Sequence, residues 1–164
     1  MKTIIVTGTP GTGKTTLSKR LAKKLSFYYI DANKIIFEYN LSDGYDRKRK
    51  TKIIDVKKLN KKLIYEIKNI KKNNKTRGVI IDSHLSHYLP KKYTDFCIVT
   101  KCDIKELSQR LKMKKFNKNK IQENVQAEIF DICLNEAKRK KHKVIAINTT
   151  KGFNIKDIIR KLGE

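Results

Sequence analysis

Tryptophan is absent, aromatics make up 8% of the residues, and acids are scarce: sixteen Asp and Glu stand against forty Lys and Arg, a formal net charge of +24. Such a surface repels polycations and attracts polyanions such as nucleotides, RNA, acidic proteins or anionic membranes. Arginine is also short, seven against thirty-three lysines. Bidentate reading of base edges favours Arg, so this surface points to diffuse phosphate attraction and away from sequence recognition. A general lysine bias of composition, with Ile and Asn also abundant, explains the same numbers.

The three cysteines, Cys97, Cys102 and Cys133, form no CxxC and no ligand pair, which predicts a reduced, cytoplasmic chain. No long apolar run is present. After Lys2 only Ile4, Ile5 and Val6 precede Thr7 and Gly8, too few for a signal peptide or a membrane span. Internal repeats and Ser/Pro/Gly linkers are missing too, so the 164 residues are expected to form one domain, with 38% apolar residues to fill its core.

Five short apolar runs predict strands at 3–7, 27–30, 78–82, 96–100 and 144–147. Between them lie helical patterns. Leu17, Leu21, Ala22 and Leu25 mark the first, and Asp31 is a candidate N-cap for a second reaching Tyr39. Val56, Leu59, Leu63, Ile67 and Ile70 give a long amphipathic helix. Further helices are expected at about 103–113, 121–140 (Val125, Ile129, Ile132 and Cys133 inward) and 154–162. Residues 40–54 read as a loop ending in the basic run Arg47, Lys48, Arg49, Lys50, and 112–120 as a second basic segment. Both are candidate lids or simply solvated charge. Strands that are continuously apolar and alternate with helices predict a parallel five-stranded α/β sheet covered on both faces. The loops after strands one, three and five should then gather at one edge.

At that edge stands Gly8-Thr9-Pro10-Gly11-Thr12-Gly13-Lys14-Thr15-Thr16, a GxxxxGK[ST] phosphate loop between strand and helix. Its glycines allow backbone N–H groups to turn toward phosphate oxygens, and the helix N-terminus adds partial positive charge. Lys14 is expected on the β- and γ-phosphates of ATP and Thr15 on Mg²⁺. Asp82 closes the third strand, where a carboxylate holds Mg²⁺, often through water. His84 follows as a candidate to orient or deprotonate an acceptor hydroxyl or water. His87 could pair with it on a metal, but no third ligand is evident and a loop histidine is usually solvated. Thr100-Lys101-Cys102-Asp103 looks like a guanine-reading motif. A glycine three residues after Asp82 is missing, and Asp103 is better read as a helix N-cap.

These residues resemble the adenylate kinase isoenzyme six family, adenylate kinases and ATPases linked to small ribosomal subunit assembly. The likeness rests on the phosphate loop, on Leu41 with Asp43-Gly44-Tyr45-Asp46, on Val79-Ile80-Ile81-Asp82-x-His84, and on Phe116-Asn117-x-x-Lys120-Ile121-x-Glu123-Asn124-Val125-Gln126-x-Glu128-Ile129-Phe130 with Glu136-Ala137. It implies a P-loop nucleoside monophosphate kinase fold with a monophosphate-binding region near 31–54 and a lid near 113–123. It places ATP on Gly11, Gly13, Lys14, Thr15 and Thr16, with Lys114 of the lid and Lys151 after the fifth strand as further contacts. Asp82 and His84 would be the family's Asp-x-His pair, important for ATP hydrolysis. AMP is the implied acceptor, and a small-subunit ribosomal protein with rRNA the implied surroundings. Three departures bear on the acceptor. Lys114-Lys115-Phe116 stands where the family carries Arg-Gly-Tyr, Phe37 stands where it carries an Arg, and Asp-Ser-His replaces an Arg-bearing turn of long adenylate kinases. Arg47, Lys48 and Arg49 could substitute. Lysine keeps the charge but not the planar fork that grips phosphate. Two rivals remain: a ribosome-assembly ATPase with little AMP kinase activity, and an RNA-binding module with a relic loop. A shikimate-type kinase is weaker, because it lacks the 116–130 pattern.

Overall fold

Ile4, Ile5 and Val6 are fully buried, so the first strand is covered on both faces, as its unbroken apolar run requires. The computed structural model describes residues 1–47, 51–73 and 76–163. In chain order they form β1 (Lys2–Thr7), α1 (Lys14–Leu25), β2 (Tyr28–Asp31), α2 (Ala32–Glu38), β3 (Ser42–Asp46), β4 (Thr51–Ile54), α3 (Val56–Lys72), β5 (Gly78–Asp82), β6 (Phe96–Lys101), α4 (Ile104–Met113), α5 (Lys118–Ile129), α6 (Ile132–Arg139), β7 (Val144–Asn148) and α7 (Ile155–Lys161). Single 3₁₀ turns occupy Ser86–Tyr88 and Lys91–Tyr93.

The main sheet has the order β2-β5-β1-β6-β7, and all four pairings are parallel. Alternate residues of the same strand enter different cores. Ile5, Val79, Ile81, Cys97 and Val99 pack against α2, α3 and α6. Ile4, Val6, Ile80, Ile98 and Ile147 pack against α1 and α7. The expected five-stranded sheet with helices on both faces is therefore present. Asp31 caps α2 by accepting from the Asn33 amide at 2.9 Å, as its position predicted.

Three expectations change. Residues 40–54 are not simply a loop: β3 and β4 pair antiparallel as a separate hairpin. Lys48, Arg49 and Lys50 of the expected basic run lie outside the described residues. The single helix at 121–140 is two, α5 and α6, broken at Asp131, whose φ of 52° is left-handed. With that break Ile129 and Ile132 turn outward, 56% and 41% exposed, instead of inward. Asp103 does stand at the start of α4, but its side chain makes no capping bond. Among the described residues no helix is long and apolar enough to cross a membrane.

Candidate functional site

The phosphate loop runs from the end of β1 to the start of α1, and close packing explains its glycines. A Cβ on Gly8 (φ +140°) would meet Thr100 Oγ1 at 2.5 Å, and one on Gly11 (φ +93°) would meet Leu107 at 2.9 Å. Threonines then tie the loop together. The Thr9 carbonyl accepts from Thr12 N at 3.2 Å, Thr12 Oγ1 at 2.7 Å and Lys14 Nζ at 3.0 Å. Thr149, just past β7, donates to the Thr12 carbonyl at 2.7 Å. The loops after β1 and β7 thus meet at one edge, as the parallel order requires.

Lys14 is partly buried, and its ammonium is pushed down to about 8 by loss of hydration. Nearby Asp82, Cys133 and Glu128 oppose that shift, and Lys114 adds to it. Asp82 is 2% exposed, and its Oδ2 accepts from the Tyr29 hydroxyl at 3.0 Å. Burial and that carboxylate raise the Tyr29 phenol above its ordinary range. His84 is driven down to about 4 by burial and then by Lys14, His87 and Lys120, so its imidazole is neutral at physiological pH. Lys14, Asp82 and His84 therefore share one electrostatic neighbourhood. Thr15 and Thr16 are exposed on the first turn of α1.

Two clefts flank the loop. A volume of about 610 Å³ is lined by Gly11, Gly13, Thr16, Arg110, Lys114 and Phe153, among others. Lys114 is exposed there at the end of α4. Lys151 lies outside this cleft, on an adjoining surface depression with Arg20 and Phe153. The second cleft, about 340 Å³, lies on the His84 side, walled by Thr9, Pro10, His84, Lys120, Asn124 and Cys133.

His87 is not solvated but 1% exposed. Its Nε2 faces Glu136 Oε2 at 2.8 Å and its Nδ1 faces Thr7 Oγ1 at 2.7 Å. Glu136 can only accept, so Nε2 carries the proton and Nδ1 accepts from the hydroxyl. This occupies both ring nitrogens and accounts for His87 without a metal. Lys101 of the guanine-like motif is likewise taken, by Glu128 at 2.8 Å and by Asp131.

The donor set suits Mg²⁺: a threonine hydroxyl at the first helical turn, and a buried carboxylate with one oxygen anchored by Tyr29. Among the described residues no group of three or more His, Cys, Asp or Glu could hold a metal alone. The residues fit an ion that arrives with phosphates, not one held in an all-protein cage.

Several site residues escape a sequence reading. Arg110 donates through Nη2 to the carbonyls of Thr149 at 3.0 Å and Thr150 at 3.1 Å, and it lines the larger cleft. Arg20 stacks over the Phe153 ring at 4.8 Å beside it. Tyr29 is another, and Glu128, though part of the 116–130 pattern, had no role assigned to it. Arg110 and Arg20 could have been noticed as two of only seven arginines; nothing local marks Tyr29.

The strand order and this loop define a P-loop kinase domain. The AAA domain family matches residues 4–131. A solved structure, "Crystal structure of a putative kinase from Chloroflexus aurantiacus", aligns with a TM-score of 0.61 at 15% identity, covering 99% of this chain and 96% of that one. Among curated proteins, "Putative adenylate kinase" of Methanosarcina acetivorans is 39% identical over 145 residues, 88% of this chain and 76% of that one. "Adenylate kinase isoenzyme 6 homolog" of Caenorhabditis elegans is 34% identical over 135 residues, 82% of this chain and 71% of that one. The chain belongs to this adenylate kinase family, the one that includes the isoenzyme 6 homologues.

Proposed function

We propose that the protein is an adenylate kinase-like phosphotransferase that moves the γ-phosphoryl of Mg·ATP to AMP, and also to water. The observation that carries this reading is the phosphate loop with partly buried Lys14 beside Asp82 and neutral His84. In it Lys14 swings from the Thr9 carbonyl to the β- and γ-phosphates, and Lys114 meets the transferring group from the lid. Gly11, Gly13 and Thr16 line the donor's path, and Lys151 takes an outer contact. Thr15 and Asp82 hold the magnesium ion, which neutralises phosphate charge when bound. In hydrolysis His84, neutral, accepts a hydrogen bond from the attacking water and orients it; in transfer to AMP the attacking atom is a phosphate oxygen, which needs no base. Residues 31–54 would form the acceptor side and 113–123 the lid.

Water as acceptor has its own support. Phe37 is 80% exposed and offers no charge to an AMP phosphate, and a neutral His84 would suit a water molecule as the nucleophile. A role in small ribosomal subunit maturation, in the cytoplasm and near ribosomal protein and rRNA, follows from the family resemblance and the +24 charge. Assaying ATP with AMP, CMP, UMP, GMP or no acceptor tests the reaction. ADP formation that rises with AMP alone supports the kinase. A rate indifferent to every acceptor leaves the ATPase, and no ADP in any well removes both. Chelating magnesium with EDTA should abolish whichever rate is found, and Lys14→Ala should lower it by about two to three orders of magnitude.

A further inference from the structure

Among the described residues two carboxylates are buried, Asp82 and Glu128. Asp82 has a role in the reading above. Glu128, 5% exposed, has none, and a buried charge is costly unless it is well bonded. Its bonds are complete and specific. Oε2 accepts from Thr9 Oγ1 at 2.6 Å. Oε1 accepts from the Cys102 amide at 3.0 Å and pairs with Lys101 Nζ at 2.8 Å. Lys101 also donates to the Glu128 carbonyl at 3.1 Å and pairs with Asp131.

Thr9 is where this matters. Its carbonyl is the meeting point of Thr12 and Lys14, so whatever holds Thr9 also sets the loop's wall and the lysine's partner. Glu128 lies in the last turn of α5, whose first residue, Lys118, lies in the lid segment. Twelve helical residues make a stiff rod of about 18 Å. One end is at the lid and the other is fastened to the phosphate loop. Beyond that fastening the chain turns at left-handed Asp131, which Lys101 holds.

We infer that Glu128 is a positioning residue: through Thr9 it fastens the phosphate loop to the C-terminal turn of α5, so that the loop's grip on phosphate and the placement of the lid are set together. The inference rests on Gly8–Thr15 being a nucleotide phosphate site. Thr9→Val removes the hydroxyl bond and leaves the Cys102 and Lys101 bonds in place. Glu128→Ala removes all three, and Glu128→Gln restores a partner for Thr9, whose hydroxyl can donate or accept. Two readouts are needed: the Kd of the protein for a fluorescent ADP, and tryptic cleavage at Lys114, Lys115, Lys118 and Lys120 of the lid with and without saturating ADP. In the wild type ADP should slow cleavage. Thr9→Val should weaken ADP binding about threefold to tenfold. At saturating ADP its lid should be cut as fast as without nucleotide. The double variant should bind no worse than Glu128→Ala, because both break one contact. Glu128→Gln should recover most of the affinity. Thr9→Val alone carries the test where Glu128→Ala does not fold. Wild-type affinity and wild-type lid protection in Thr9→Val, with only a lower Tm, would show the contact to be structural and overturn the inference. Failure of the wild type itself to bind ADP, or binding untouched by Lys14→Ala, overturns the phosphate-site reading and the inference with it.

Discussion

Burial alone would favour the neutral amine of Lys14; Asp82, Cys133 and Glu128 pull the other way, and the balance leaves it near 8. Since phosphate binding needs the ammonium, affinity for ATP should be level below about pH 8 and fall above it, approaching tenfold per pH unit. Titrating ATP into the protein between pH 6.5 and 9.5 checks this, and a flat profile would contradict it. The histidines make an opposite prediction for stability. His84, His87 and His142 are all lowered, chiefly by burial. Below their ordinary value of 6.5 the unfolded chain takes up protons that the folded chain refuses, so stability drops as pH falls from about 6.5 toward 4. Tm should therefore be lower at pH 5 than at pH 7.5, and His84→Gln should narrow the difference. Equal Tm values would show that these imidazoles protonate freely in the fold.

Among the elements, the turn that ends α4 carries strain of its own. Lys115 has φ 58°, the left-handed region that disfavours a side chain. Lys115→Gly should stabilise the protein by roughly 0.5–1 kcal/mol, the strain relieved less the entropy that glycine loses on folding, measurable by urea unfolding. Beneath that turn Leu107 and Leu111 form a small core with Cys102, Phe116 and Ile121, and they also press on Gly11. Leu107→Ala should cost about 2–5 kcal/mol. It should also weaken ADP binding, since the cavity opens directly under the phosphate loop; an unchanged Kd in the folded variant would separate the two. The strands and the loop were legible because their signals are local: a β-branched run, then glycines and lysine at fixed spacing. The pairing of β3 with β4 was not, because among the described residues these strands pair only with each other and β3 carries polar, largely exposed residues instead of an alternating stripe. The break between α5 and α6 has no Gly or Pro to mark it. Asp131 is held in its unusual conformation by Lys101, thirty residues earlier. Thr9 and Glu128 are 119 positions apart, and Arg110 is 39 from Thr149, so only the folded chain brings them together.

For the whole molecule, the charge of +24 makes any contact with RNA dependent on salt. Lysine contacts to phosphate release counterions, so log K should fall linearly with log salt, by about 0.7 per single-strand phosphate neutralised. Filter binding of a single-stranded RNA from 50 to 300 mM KCl would give the number of contacts. A slope near zero would assign the charge to composition alone. Co-sedimentation with small-subunit precursors tests the ribosomal role separately. An interaction that ignores nucleotide and vanishes at moderate salt would count against a specific one.

The three thiols differ in reach. Cys97 and Cys102 are buried and Cys133 is partly exposed. Cys133 lines the cleft on the His84 side, within electrostatic range of Lys14. Burial raises its thiol, so alkylation at neutral pH should be slow. Cys133 is nonetheless the most accessible of the three thiols, a chemical handle in the unaltered protein. A small maleimide or acrylamide fluorophore attached there would stand against the phosphate loop, reporting occupancy as it happens and offering covalent inhibitors an anchor, with no residue changed.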